Sequence, residues 1–263
     1  MTIIILDRHP GGPPPYADWL ADTGEDLVLV TGRPAVDVGG YADVRSVPDY
    51  ASSATAELTV LDIAGTTTVS ALGATATPDL VRAGALRDHL GIDGQSRADA
   101  AVFADPVAMR QRLSEAGVPT IPVGPVLRVS DLYWYRHRWG GGPLRVRRRK
   151  ETGWPTVAVL RTDEDLRAFT ADGLAPNLVT VPGLLVEPDL AGTRHTTRDS
   201  TVDALVRNAV PCRPGQPYRI DVLHTDTGEW LVDTVDSAVA ADHRAVVRHQ
   251  AGLPPQEATR WAS

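Results

Sequence analysis

The chain has a single cysteine, Cys212, in 263 residues. That excludes an internal disulfide framework and any zinc site built on several cysteines. Its surroundings, Pro211-Cys212-Arg213-Pro214-Gly215, are loop chemistry with no histidine close in sequence, so a nucleophilic thiol is not expected. No apolar run approaches the roughly 20 residues needed to cross a bilayer. The first such run, Ile3 to Leu6, is followed at once by Asp7, Arg8 and His9, and is too short for a signal peptide. These features predict a cytoplasmic protein without a membrane partner. Positive charge is also in deficit, with 26 Lys+Arg against 33 Asp+Glu and a net charge of −7, so nucleic acid is not an expected partner. No G-x-G-x-x-G follows the first strand, which leaves a dinucleotide site unsupported. There is no internal repeat, and no low-complexity segment beyond the proline loop at 10–15.

What is present is ordinary globular material, 43% hydrophobic and 22% charged, in a chain long enough for a sizeable core. Thr2 to Leu6 and Asp26 to Thr31 read as continuous apolar strands around a short helix, Tyr16 to Ala21, stopped near Gly24. Strand, helix, strand at this spacing is a parallel β-α-β unit. Tyr41 to Val47 and Glu57 to Leu61 continue the strand pattern less clearly, and Thr68 to Leu72 is a further strand. A helix follows, with Thr77 as cap, Pro78 at its first position and Gly91 at its end. Residues 1–97 are therefore expected to form a Rossmann-like α/β domain, and 98–263 a second domain.

In the second domain Asp105 caps a helix with Pro106 in its first turn, and Met109, Leu113 and Ala116 form its buried stripe. Leu132 to Trp139 is expected to be a helix packing its rings inward. Thr162 and Asp165 form a capping box for a helix over 163–169. Leu184 to Glu187 is a strand, and Gly192 to Gln216 reads as mostly loop. Tyr218 to Thr225 and Glu229 to Asp236 flank a hairpin turn at Asp226-Thr227-Gly228, and a helix is expected from Ala238 to Gln250. Five histidines, His137, His195, His224, His243 and His249, show no metal-ligand spacing.

The densest chemistry lies in Pro143 to Leu160, PLRVRRRKETGWPTVAVL, which reads as strand, loop, strand. Leu144 and Val146 fall on one face, and Arg145, Arg147 and Arg149 on the other. A basic strand feeding a small-residue loop can hold a triphosphate, with cations on the phosphates and backbone N–H groups closing over them. This loop has one glycine, Gly153. Pro155 offers no N–H, and Trp154 fills space where close approach is needed.

Several landmarks in order resemble the ATP-grasp superfamily, in particular its carboxylate–amine ligase branch. Leu90-Gly91-Ile92 to Ser96, Ala104-Asp105 and Ala116-Gly117-Val118-Pro119 resemble the junction between that family's first domain and its ATP-binding part. Leu144 to Leu160 resembles its lysine strand, glycine-rich loop and next strand. Leu185 to Gly192 resembles the hinge strand that meets adenine and ribose, and Tyr218 to Val222 with the strand after it resembles the metal-binding hairpin. The resemblance implies a Rossmann-like domain followed by a shortened ATP-grasp-like α+β domain. It implies ATP and Mg²⁺ as cofactors, and a small-molecule carboxylate and amine as substrates. It places Arg147, Arg149, Gly153 and Glu187 at the nucleotide, Asp221 and Asp236 at the metal, and Arg219 in a catalytic role.

The departures bear on activity. Pro106 stands where the family usually has lysine, and Arg147 where it has its phosphate lysine, an exchange that keeps charge but changes shape. Glu151 sets negative charge beside the phosphate position, and Thr234-Val235-Asp236 replaces a Glu-x-Asn motif. A two-residue turn would set Asp221 opposite Thr234 and Arg219 opposite Asp236; a turn that takes in Asp226 would set Asp221 opposite Asp233 and restore a metal pair. Three readings follow in this order. The first is an ATP-grasp-like protein with ATP and Mg²⁺ binding weakened or lost, working as a partner or regulatory subunit of another protein or of its own copies. The second is an active ligase with a rearranged site. The third is a phosphate- or RNA-binding module using Arg145, Arg147, Arg148, Arg149 and Lys150, for which the plain alternative is a strand edge whose positive charge blocks pairing.

Overall fold

A computed structural model of the chain describes residues 1–9, 13–34, 39–149, 151, 153–172, 183–237 and 243–253. Lys150 and Thr152 of the basic loop, residues 10–12 of the proline loop and residues 238–242 of the expected last helix lie outside them. The chain divides into two compact units. The first takes Met1–Ala101, Cys212–Tyr218 and the residues from Asp236 onward; the second takes Val102–Pro211 and Arg219–Val235. The chain passes between the units at 101/102, 211/212, 218/219 and 235/236.

The first unit is built on a four-stranded sheet. Its strands are β1 (Thr2–Asp7), β2 (Asp26–Thr31), β3 (Asp43–Ser46) and β4 (Val69–Ala74), in the order β3-β2-β1-β4 and all parallel. Helices α1 (Tyr16–Leu20), α2 (Thr55–Ala64), α3 (Thr77–Leu90) and α9 (His243–Gln250) belong to it. Both faces of β1 are buried, which is why its apolar run is unbroken. Ile4 and Leu6 pack with Val60, Leu80 and Ala83 of α2 and α3, while Ile3 and Ile5 pack with Tyr16, Leu20 and Val247 of α1 and α9. Residues 57–61, read as strand-like, are helical. Ala56, Val60 and Ile63 are its buried face, spaced at three and four positions, and that period rather than the β-branched content decided the element. At α3 the extended capping residue is Ala76, so Thr77 already lies in the helix and makes no cap; Gly91, at φ +69°, ends the helix as expected.

The second unit has two sheets. One has the order β5-β8-β6-β7, from β5 (Gly124–Val126), β6 (Leu144–Arg148), β7 (Thr156–Leu160) and β8 (Leu184–Pro188), and its paired strands run antiparallel. The other is β9 (Gly192–Thr197), β10 (Arg219–Thr225) and β11 (Trp230–Asp236), with β10 in the middle. Helix α4 (Arg97–Ala104) spans the boundary of the units, and α5 (Pro106–Glu115), α6 (Val129–Arg138), α7 (Asp163–Asp172) and α8 (Ser200–Ala209) lie in the second. Leu144, Val146 and Val186 pack with Leu132 and Leu166, so one face of the first sheet is an apolar core under α6 and α7.

Gly192–Thr197 and Ser200–Ala209, read as loop, are a strand and a helix. The strand is almost wholly exposed and carries no apolar alternation to betray it. The helix is capped by Asp199, whose carboxylate accepts from the Thr201 and Val202 N–H groups at 2.7 and 3.2 Å, and it buries Val202, Val206 and Ala209. Ala116 is exposed rather than part of the α5 stripe. On α6 only some rings turn inward. Tyr135 and Trp139 stack at 4.8 Å against the core, while Trp134 is 54% and Tyr133 40% exposed. A 3.6-residue period cannot bury four neighbouring aromatic positions on one face.

Candidate functional site

Strand β6 sets the site. Its pleat sends Leu144 and Val146 into the core and turns Arg145 and Arg147 to the opposite face. The strand is internal, between β8 and β7, so its arginines do not guard a sheet edge. Each has a carboxylate instead. Arg145 is hydrogen-bonded to Asp189, Arg148 lies 3.3 Å from Glu151, and Arg149 binds the α5 cap residue Asp105, with Nε to Oδ1 at 2.8 Å. Asp105 also accepts from the Val107 N–H at 3.1 Å, as its capping role requires.

Arg147 is the most enclosed of these. Its Nε donates to the Trp154 carbonyl at 2.6 Å, Nη2 to the Gly153 carbonyl at 3.2 Å, and Nη1 to Glu187 Oε1 at 3.4 Å. Asp233 Oδ1 lies 3.8 Å from the same Nη1. Burial pushes its guanidinium below the usual arginine range, the carboxylates of Glu187 and Asp233 push it back up, and the charges of Arg110 and Arg194 push it down again. Trp154 is buried and holds a left-handed backbone at φ +47°, a conformation that costs a residue with a side chain. The loop therefore turns two carbonyl oxygens, from Gly153 and Trp154, toward the cation where a phosphate cradle would turn N–H groups.

Glu187, which the resemblance sets at the nucleotide, lies near the end of β8. It is fully buried, directly opposite Arg145 in the strand register. Its carboxylate lies within 4.0 Å of Arg110, Arg145, Arg147 and Arg194. Arg110, on α5 and 1% exposed, joins the two sheets: Nη1 donates to Glu187 Oε2 at 2.6 Å, Nε to the Asp233 carbonyl at 2.9 Å, and Nη2 to the Asp233 carboxylate. Arg194 on β9 donates from Nε to Asp233 Oδ2 at 2.9 Å. Arg110 and Arg194 escape the sequence, which names Asp233 only as the residue opposite Asp221 in one hairpin register. Arg110 sits between Met109 and Leu113 on the face that reads as apolar, and its partners come from strands far along the chain. The one available signal was a charge interrupting a buried helical stripe.

The hairpin turn takes in Asp226. Gly228 N donates to the Thr225 carbonyl at 3.0 Å and Thr225 N to the Glu229 carbonyl at 2.9 Å, with Gly228 at φ +86°. Asp221 and Asp233 nevertheless serve different partners. Asp221 accepts from Thr196 Oγ1 at 2.7 Å and Thr234 Oγ1 at 3.0 Å, and lies 3.2 Å from Arg219. Asp236 ends β11 and is counted with the first unit. Arg147, Glu187 and Asp233 are thus drawn together, Arg149 and Gly153 flank them, and Arg219 pairs with Asp221 on β10.

Each nitrogen of Arg147 donates one hydrogen bond to a protein acceptor, which leaves two of its five N–H groups, and Glu187 lies within 4.0 Å of four guanidiniums. The Asp221 oxygens accept from two hydroxyls, and among the described residues no group of three or more His, Cys, Asp or Glu could hold a metal ion. Among the described residues, too, no helix is long and apolar enough to cross a membrane.

No family sequence profile and no curated protein sequence matches the chain. Solved structures do. N5-carboxyaminoimidazole synthetase from Staphylococcus aureus, complexed with ADP, matches with a TM-score of 0.70 at 11% identity, over 97% of this chain and 78% of that one. The biotin carboxylase domain dimer of 2-oxoglutarate carboxylase from Hydrogenobacter thermophilus, complexed with MgADP, ADP and bicarbonate, matches at 0.70 and 12% identity, over 100% of this chain and 71% of that one. An ATP-grasp RimK domain protein from Sphaerobacter thermophilus matches at 0.62 and 13% identity, over 97% of this chain and 100% of that one. The chain shares the fold of these solved structures, an ATP-grasp protein among them, as the order of its motifs implied.

Proposed function

We propose that this ATP-grasp-fold protein lacks ligase activity and works as a partner or regulatory subunit. One observation carries the reading: Arg147, in the place of the phosphate lysine, spends all three nitrogens on the Trp154 and Gly153 carbonyls and Glu187. A phosphate that took the place of these acceptors would break the bonds and leave Glu187 beside the incoming negative charge. Pro106, Trp154-Pro155 and Thr234 point the same way, each removing a cation, an N–H group or a carboxylate from a position where the resemblance expects one. A partner role is supported by apolar surface at the start and along one side of α6, where Leu127, Val129, Tyr133 and Trp134 are between 39% and 54% exposed.

The second reading, an active ligase with a rearranged site using ATP and Mg²⁺ on a carboxylate and an amine, is favoured by the retained Arg147, Glu187, Arg219 and Asp221 and by the ADP in the related crystals. Turnover separates the two. ADP release from MgATP, measured with pooled amino acids and dicarboxylates, is expected to match the protein-free control. Release that depends on an added carboxylate and disappears in Arg147→Ala would establish the second reading instead.

A further inference from the structure

The first unit contains a cavity of about 700 Å³ between the turn at Asp93–Gln95, the loop at Arg213–Pro217 and helix α9. That is the size of a site for a small organic ligand. Among the described residues, two polar side chains that line it have atoms without a hydrogen-bond partner: the Nε2 of Gln95 and the Oγ of Ser237. The residues are 6% and 3% exposed. A buried amide donor without an acceptor is costly to keep. Its place on a cavity wall points to an acceptor that comes from outside the chain.

The charge of the cavity says which kind. Arg213 and His249 line it. Arg87 stands directly behind Gly94, where an added Cβ would meet its Cδ at 2.6 Å. Arg87 is 1% exposed, and its hydrogen bonds go to the carbonyl oxygens of Leu72 and Gln95, with no carboxylate among them. Burial pushes its guanidinium down to about 10, and the repulsion from Arg213 outweighs the attraction of Asp88. The His249 imidazole is pushed down by burial, then by Arg213 and Arg87. Arg213 in the lining and Arg87 behind it are the positive charges at the cavity. Of the acidic groups, Asp93 is exposed at the rim and Glu25 is hydrogen-bonded to Ser70.

We propose that this cavity binds a small organic anion. Arg213 holds its carboxylate or phosphate group, the Gln95 amide and Ser237 hydroxyl donate to it, and Val246 and Leu253 cover its apolar body. The site lies wholly in the first unit and is independent of whether the second unit binds a nucleotide.

The test is a titration of the full-length, ¹⁵N-labelled protein with inorganic phosphate, with succinate, and with glycerol as a neutral control. The site requires a saturable shift of the Gln95 side-chain amide resonances with phosphate or succinate and none with glycerol. Which anion acts identifies the group recognised. Arg213→Gln and Gln95→Leu should each weaken binding by roughly tenfold or more, the loss expected for a hydrogen bond to a charged group. The β1 to β4 resonances report that both variants stay folded. Saturation by neither anion, an equal response to glycerol, or wild-type affinity in either variant would overturn the proposal and leave a cavity holding water.

Discussion

Of the buried arginines among the described residues, Arg110 in the second unit and Arg87 in the first are treated in opposite ways. Arg110, in the second unit, is met by the carboxylates of Glu187 and Asp233. Arg87, in the first, is met by carbonyl dipoles alone. Both are 1% exposed. The difference is where positive charge is cancelled. Around Arg110 four arginines share the carboxylates of Glu187, Asp189 and Asp233, so most of their charge is met inside the protein. Around Arg87 no carboxylate accepts a hydrogen bond from the guanidinium, which stands beside a cavity.

The comparison can be broken first at Arg110. Arg110→Met removes the most buried partner of Glu187 and Asp233, which keep only the longer contacts of Arg145 and Arg147 and that of Arg194, and urea unfolding should show a loss of about 3–5 kcal/mol, the usual result of removing one partner of a buried pair. Arg87→Met leaves only the carbonyls of Leu72 and Gln95 short of a donor. It should cost about 1–3 kcal/mol in the same measurement. Equal losses at the two sites would erase the distinction drawn between them.

A smaller effect concerns pH. The folded His249 imidazole sits below its ordinary value of 6.5 because of burial and the neighbouring Arg213 and Arg87 charges. Below pH 6.5 the unfolded chain takes up a proton that the folded protein accepts only at lower pH. Stability from this group is therefore complete above that value and falls as pH drops through the interval beneath it. Melting temperatures across this range should decline less steeply in His249→Gln than in the parent. The smallest effect belongs to Trp134, exposed and held only by Arg138 over its ring at 5.1 Å and by an edge contact to Tyr135. Trp134→Ser should change unfolding free energy by no more than about 0.5 kcal/mol. A loss much beyond that would show the ring to be structural rather than available surface.

Much of the scaffold could be read before any coordinates. The β1 and β2 runs, the Asp105 cap, the Thr162–Asp165 capping box and the place of the hairpin turn, though not its length, are local in the chain, and local chemistry determines them. Asp165 accepts from the Arg161 and Thr162 N–H groups at 2.8 and 2.9 Å, and Thr162 returns the bond at 3.0 Å. What escaped was either without pattern or non-local. β9 has polar residues on both faces, so alternation carries no message. The α8 period at Val202, Val206 and Ala209 was present but hidden by the polar residues between. At the site, sequence placed Arg147 and Glu187 in one neighbourhood through the family resemblance. It could not show that Arg110, Arg194 and Asp233 close around them, because those partners arrive from three separate elements and only folding brings their charges together.

The central claim is that the Arg147 position is already occupied by the protein's own acceptors. Isothermal titration calorimetry with a non-hydrolysable ATP analogue, with and without Mg²⁺, tests it directly. The account predicts no saturable heat in either condition. Saturable, Mg²⁺-dependent binding that Arg147→Ala abolishes would contradict it.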